Sequence, residues 1–125
     1  MERVSSKQPG GERLCDMADD CRVSERRAGE FCAALWGDID HHRAAKLRGQ
    51  LDELICRERP RRLYLDLSGI DFMDSSGLGL IMGRLALLKR FGGTLSILDP
   101  SAAVMKMVKL AGMERMVTIL RSKEK

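Results

Sequence analysis

From Glu30 to Leu120 the hydrophobic pattern switches between a period of two and a period near 3.6, strand following helix following strand. A chain patterned this way buries both kinds of element most readily as β-α-β units with right-handed crossovers. The extended segments are "EFCAALWG" (Glu30–Gly37, ended by the turn residues "GD"), "RRLYLDLSG", "TLSIL" and "MVTIL". In the second, Leu63, Leu65 and Leu67 point one way and Tyr64 and Asp66 the other. That alternation predicts strands covered on one face only, with the opposite face at least partly open. The fold class expected is α/β: a mixed, mostly parallel sheet of four to five strands with helices mainly on one face.

Three helices fill the intervals. In "DHHRAAKLRGQLDELICRERP", Asp40 is the expected N-cap, Ala44, Leu47, Leu51, Leu54 and Ile55 form one apolar stripe, and Pro60 stops the helix. A second helix follows Asp74 and ends at Gly92-Gly93. In "DPSAAVMKMVKLAG", Asp99 is read as the cap and Pro100 as the first helical residue, with Gly112 past the end. Its buried stripe is Ala103, Val104, Met107, Val108 and Ala111. Ahead of these units the pattern is weak: Cys15–Arg27 holds one short edge strand in "CRVSERR", preceded by a polar, Gly/Pro-containing segment. The expected organisation is a disordered tail over 1–14, one domain over 15–122 and a short tail over 123–125. At 125 residues such a chain builds a single core without staples.

Several functions are disfavoured. The apolar-rich stretch Leu78–Leu88 is interrupted by Gly83 and Arg84 and is far short of the ~20 residues of a membrane span. "MERVSSKQPGGER" has no apolar core of a secretory signal, so a cytoplasmic protein with no membrane partner is expected. Cys15, Cys21, Cys32 and Cys56 are scattered without a C-x-x-C pair and read as reduced thiols. A metal site joining them to His41 and His42 is not expected, nor is any cofactor. The net charge of +4 is spread over several small clusters, and one Trp, one Tyr and three Phe make a poor stacking set. No nucleic-acid partner is expected.

The stretch "DFMDSSGLGLIMGR", Asp71–Arg84, carries the functional information. With Asp74 as N-cap and Ser75 as first helical residue, steps of about 100° place Leu87, Leu80, Phe91, Leu88, Ile81, Leu85 and Leu78 on one broad arc. The opposite arc holds Ser75, Gly79, Met82, Gly83, Ala86, Lys89 and Arg90: low relief, small residues and an adaptable methionine beside a serine. Arg84 projects into the apolar arc and must snorkel or find a carboxylate. Because Asp74 supplies the cap, the Ser75 hydroxyl is left free. A phosphate there adds about −1.5 to −2 charges: the helix dipole favours it in the free protein, whereas a docked partner would bury it beside Asp74. A nucleophilic Ser75 is the enzymatic alternative, but the surroundings do not match the G-x-S-x-G elbow, and the two histidines sit on another helix. The glycine spacing is neither a dinucleotide fingerprint nor a phosphate-binding loop.

These residues resemble the STAS-domain anti-sigma factor antagonists of bacterial partner-switching systems. Three blocks carry the resemblance: "GDIDHHRAAKLR" (Gly37–Arg48), "LYLDLSGIDFMDSSGLGLIMGR" (Leu63–Arg84) and "GGTLSILDPSAAVMKMVKLAGM" (Gly92–Met113). The D-H-H is similar to the sporulation branch. The resemblance implies a single non-enzymatic STAS domain with Ser75 as phosphate acceptor. Its implied partners are an ATP-dependent anti-sigma factor serine kinase and a PP2C-type serine phosphatase. Unphosphorylated, the chain would bind the anti-sigma factor and release the sigma factor; phosphorylation would switch binding off. The implied partner-binding residues are Asp38, Asp40 and His41 in one loop, and Asp74, Ser76, Gly77, Leu78, Gly79 and Met82 around the acceptor. A STAS interaction module that is not switched is the alternative.

Overall fold

The computed structural model describes residues 13–18 and 21–121. Among them, six strands form one sheet in sequence order. They are β1 (Arg13–Ala18), β2 (Cys21–Arg27), β3 (Glu30–Ile39), β4 (Arg62–Met73), β5 (Thr94–Leu98) and β6 (Thr118–Leu120). β1, β2 and β3 pair antiparallel; β3 through β6 pair parallel. The parallel strands are joined by α1 (His41–Glu58), α2 (Ser75–Arg90) and α3 (Ala102–Leu110), the last followed by a 3₁₀ turn at Met113–Arg115. The class is as expected, with two strands rather than one drawn from the weakly patterned amino-terminal segment. The expected edge strand, β2, is flanked on both sides, and β1 is the edge. A strand paired on one side only leaves a weaker pattern to read. The expected tails lie outside the described residues apart from Arg13 and Leu14, which belong to β1.

The core is one continuous cluster between helices and sheet. Leu63 and Leu65 of β4 lie opposite Phe31 and Ala33 on β3 and Leu95 and Ile97 on β5, and all of these are buried, as is Leu67. α1 buries Ala44, Leu47, Leu51, Leu54 and Ile55, the whole expected stripe. α2 buries Leu80, Ile81, Leu85 and Leu88 and with them Arg84, only 7% exposed. Arg84 finds its carboxylate across the seam: its Nε lies 2.9 Å from Asp52 Oδ1 on α1. Burial pushes the guanidinium pKa down, and Asp52 opposes that shift.

Four local expectations change. β3 runs through Gly37-Asp38 to Ile39, because Gly37 at φ +83° absorbs a register shift that a side-chain-bearing residue would resist. α3 is capped by Ser101, whose hydroxyl accepts from the Val104 N–H at 3.3 Å, not by Asp99. Asp99 takes a left-handed conformation at φ 52° and donates its N–H to the Leu120 carbonyl at 2.8 Å, tying β5 to β6. Of the α3 stripe only Val104 and Val108 are fully buried; Ala103 and Ala111 are exposed because the short helix meets the core along one line. Phe91 lies at the α2 C-cap, where the helix unwinds, and it is 38% exposed beneath the Arg59 guanidinium at 4.7 Å.

Candidate functional site

Strand register assembles the site. β3 and β4 stay paired to their last residues, Ile39 opposite Met73, so both strands leave the sheet side by side. Each is followed at once by an aspartate that caps a helix. Asp40 accepts from the Arg43 N–H at 2.9 Å, and Asp74 accepts from the Ser76 N–H at 2.8 Å. The Asp74 N–H donates to the Ile39 carbonyl at 3.1 Å, which fastens the two helix starts together. The Asp38–His42 junction, which runs from the end of β3 into α1, and the start of α2, far apart in sequence, thus form one pole of the molecule.

The junction is held by Arg43, whose guanidinium Nη1 donates to the Asp38 carbonyl at 2.7 Å. The same group passes over Gly37, where an added Cβ would meet it at 3.1 Å. Asp38, Asp40 and His41 are exposed as a result. The Arg43 N–H bond holds the Asp40 carboxyl below the usual carboxylate range. Ser75 is exposed, and its hydroxyl makes no hydrogen bond among the described residues. Ser76 is half-buried, with Oγ 3.5 Å from His41 Nδ1, so the histidine that approaches a serine approaches Ser76 and not Ser75. That geometry does not supply the oriented base that a nucleophilic Ser75 requires.

Gly79 and Met82 face outward as the helical wheel predicts, and nothing lies within 4 Å of a Cβ placed on Gly79. Leu78 is half-buried and packs against the core. Gly77 does not belong with them. It is buried, and a Cβ there would collide with the Met73 side chain, so its smallness serves close packing of α2 on β4. The wheel contained this information: about two steps of 100° from Ser75 put Gly77 in the middle of the apolar arc.

Two features escape the sequence reading. One is a cleft of about 430 Å³ between α1 and α2, bounded by His41, Ala44 and Arg48 on one side and Ser76, Gly79 and Leu80 on the other. Its signal was the spacing of His41, Ala44 and Arg48, which stack along one helix face. The other is Phe72, 52% exposed beside Asp38 where β4 extends past its pairing with β5. Among the described residues no helix is long and apolar enough to cross a membrane.

Known proteins share this fold. The family model described as Mlab, STAS domain matches residues 24–120, which makes the chain a STAS-domain protein. The anti-sigma F factor antagonist of Paenibacillus polymyxa is 35% identical over 95 residues, covering 76% of this chain and 81% of that protein. The anti-sigma-B factor antagonist of Bacillus subtilis is 30% identical over 88 residues, covering 70% and 79%. The solved structure of the anti-sigma factor antagonist SpoIIAA in its unphosphorylated form superposes with a TM-score of 0.73 at 25% identity, covering 83% of this chain and 89% of that one. The chain belongs to the STAS-domain anti-sigma factor antagonists.

Proposed function

We propose that this chain is a phosphorylation-controlled antagonist of an anti-sigma factor, with Ser75 as its switch. In the unphosphorylated state the α1–α2 pole docks on an anti-sigma factor, which is also an ATP-dependent serine kinase, and the sigma factor is released. The kinase transfers the γ-phosphoryl group of ATP to Ser75 Oγ, leaving ADP, and the modified chain dissociates. A PP2C-type phosphatase hydrolyses the ester and returns the chain to its binding state. The docking residues are Asp38, Asp40 and His41 at the β3–α1 junction, with Asp74, Ser76, Leu78, Gly79 and Met82 beside Ser75. The chain acts by binding and not by catalysis, in the cytoplasm, and the D-H-H motif favours sporulation as the process.

The observation that carries this reading is the free Ser75 hydroxyl, exposed at the start of α2 while Asp74 does the capping. Phosphate at that point is stabilised by the helix dipole. In a docked complex its charge of about −1.5 to −2 would be desolvated next to Asp74 and opposite a surface selected for a neutral serine. One structural state of the chain thus gives two binding states.

The test is phosphosite mapping by mass spectrometry after incubation with ATP and the anti-sigma kinase of its own genome, with Ser75→Ala in parallel. One phosphate on Ser75, absent from the variant, is expected. Tight binding to the kinase without phosphorylation would overturn the switch and leave a constitutive docking module.

A further inference from the structure

The seam between α1 and α2 holds more positive charge than its own acids neutralise. Asp52 is engaged by the buried Arg84. The contact is an ion pair without a well-aligned hydrogen bond: Arg84 Nε and Nη1 and Asp52 Oδ1 are all buried with no hydrogen-bond partner among the described residues. Arg48 lies one helical turn from Asp52 and has no ion-pair partner among the described residues. It stands close enough to Arg84 for the two cations to repel, adding to the effect of burial on Arg84. Glu53, the next acid on α1, faces Arg57 at 3.7 Å. Arg48 therefore borders the cleft as an unneutralised charge, with His41 at the opposite, outer end.

The walls are suited to receive a side chain. Ala44, Ala45 and Gly79 leave the cleft without relief, and Leu80 offers an apolar contact at its base. Next to the cleft-lining His41 and Ser76, the same pole carries the carboxylates of Asp38, Asp40 and Asp74, together with Arg43 on the Asp38 carbonyl. A partner complementary to this surface presents cations to these carboxylates and an anion to the cleft, and such a pattern fixes register as well as attraction.

Building on the docking reading above, we propose that the α1–α2 cleft receives an acidic side chain of the partner protein, a glutamate or aspartate that pairs with Arg48. Arg48 then determines which anti-sigma factor the surface accepts, while Ser75 determines when.

The test is calorimetric titration of the full chain with the anti-sigma kinase of its own genome, using wild type, Arg48→Glu, Arg48→Lys and Gly79→Leu. Arg48→Glu is expected to weaken binding about tenfold or more, and Arg48→Lys by only about threefold, since the point charge remains. Gly79→Leu fills the cleft and weakens binding as well. All three keep thermal midpoints close to wild type. Reversing the partner's surface acids one at a time to lysine should identify one change that restores binding to Arg48→Glu. Wild-type affinity in Arg48→Glu overturns the inference and leaves the docking reading standing. A large loss of midpoint in Arg48→Glu, or the absence of any restoring reversal, assigns Arg48 to the shape of α1 and also overturns it. No binding by wild type itself overturns the docking reading, and this inference with it.

Discussion

Ser75 and Ser101 stand at the starts of two helices that follow parallel strands of the same sheet, and they do different work. Ser101 is the cap of α3; its hydroxyl accepts from the Val104 N–H. Ser75 is the first residue of α2, whose cap is the Asp74 carboxylate, and its hydroxyl is unengaged among the described residues. The distinction arises upstream. β4 delivers its chain straight into an aspartate, whereas β5 is followed by a left-handed Asp99 and then Pro100 before the Ser101 cap. A serine whose hydroxyl satisfies the backbone is committed to stability. A serine relieved of that duty by a neighbouring carboxylate is available for chemistry at almost no structural cost.

The comparison breaks most visibly in binding. Ser75→Asp is expected to bind the anti-sigma kinase about tenfold or more weakly than Ser75→Ala, because only the former places a charge in the docked face. Equal affinities in a titration would remove the distinction between the serines. Next in size is the contrast between two glycines only two residues apart on α2. Gly77→Ala forces Met73 aside and should cost about 1–2 kcal/mol. Gly79→Ala enters open space and should instead stabilise by about 0.5–1 kcal/mol through helix propensity; urea unfolding distinguishes the signs. Ser101→Ala should then cost about 1 kcal/mol, against less than about 0.5 kcal/mol for Ser75→Ala, and it should leave partner binding unchanged.

The smallest effect concerns the cap of α1. The folded-state pKa of Asp40 lies below its unfolded value, chiefly because its carboxylate accepts the Arg43 N–H. Its stabilising contribution is therefore complete above the unfolded pKa of about 3.9 and is lost as pH falls through the folded value. Asp40→Asn keeps an acceptor but does not titrate in this range, so thermal midpoints below about pH 4 should fall less steeply in the variant than in wild type.

Legibility in the sequence followed the physics of each element. α1 was readable to the residue because an amphipathic helix writes its buried face at i, i+3 and i+7, and all five stripe residues are buried. The same arithmetic put Ser75, Gly79 and Met82 outside. Gly77, which the resemblance implies at the interface, has an angular position among the leucines, and the structure buries it against Met73. β1 had no comparable signal, since an edge strand is defined by its pairing with β2 and not by a pattern of its own.

What the sequence determined by itself was local: the strand–helix alternation, the aspartate caps at 40 and 74, and the outward face of α2. Periodicity and capping act over a few residues, so they are written in neighbouring positions. The tertiary structure decided what depends on distant segments meeting. It set the Ile39–Met73 register that joins the two capped helix starts, and it placed Asp52 beside Arg84, with Arg48 at the cleft lacking an ion-pair partner among the described residues. Pairing across more than thirty residues of chain is settled by which groups the packed core brings within reach. No local pattern specifies that.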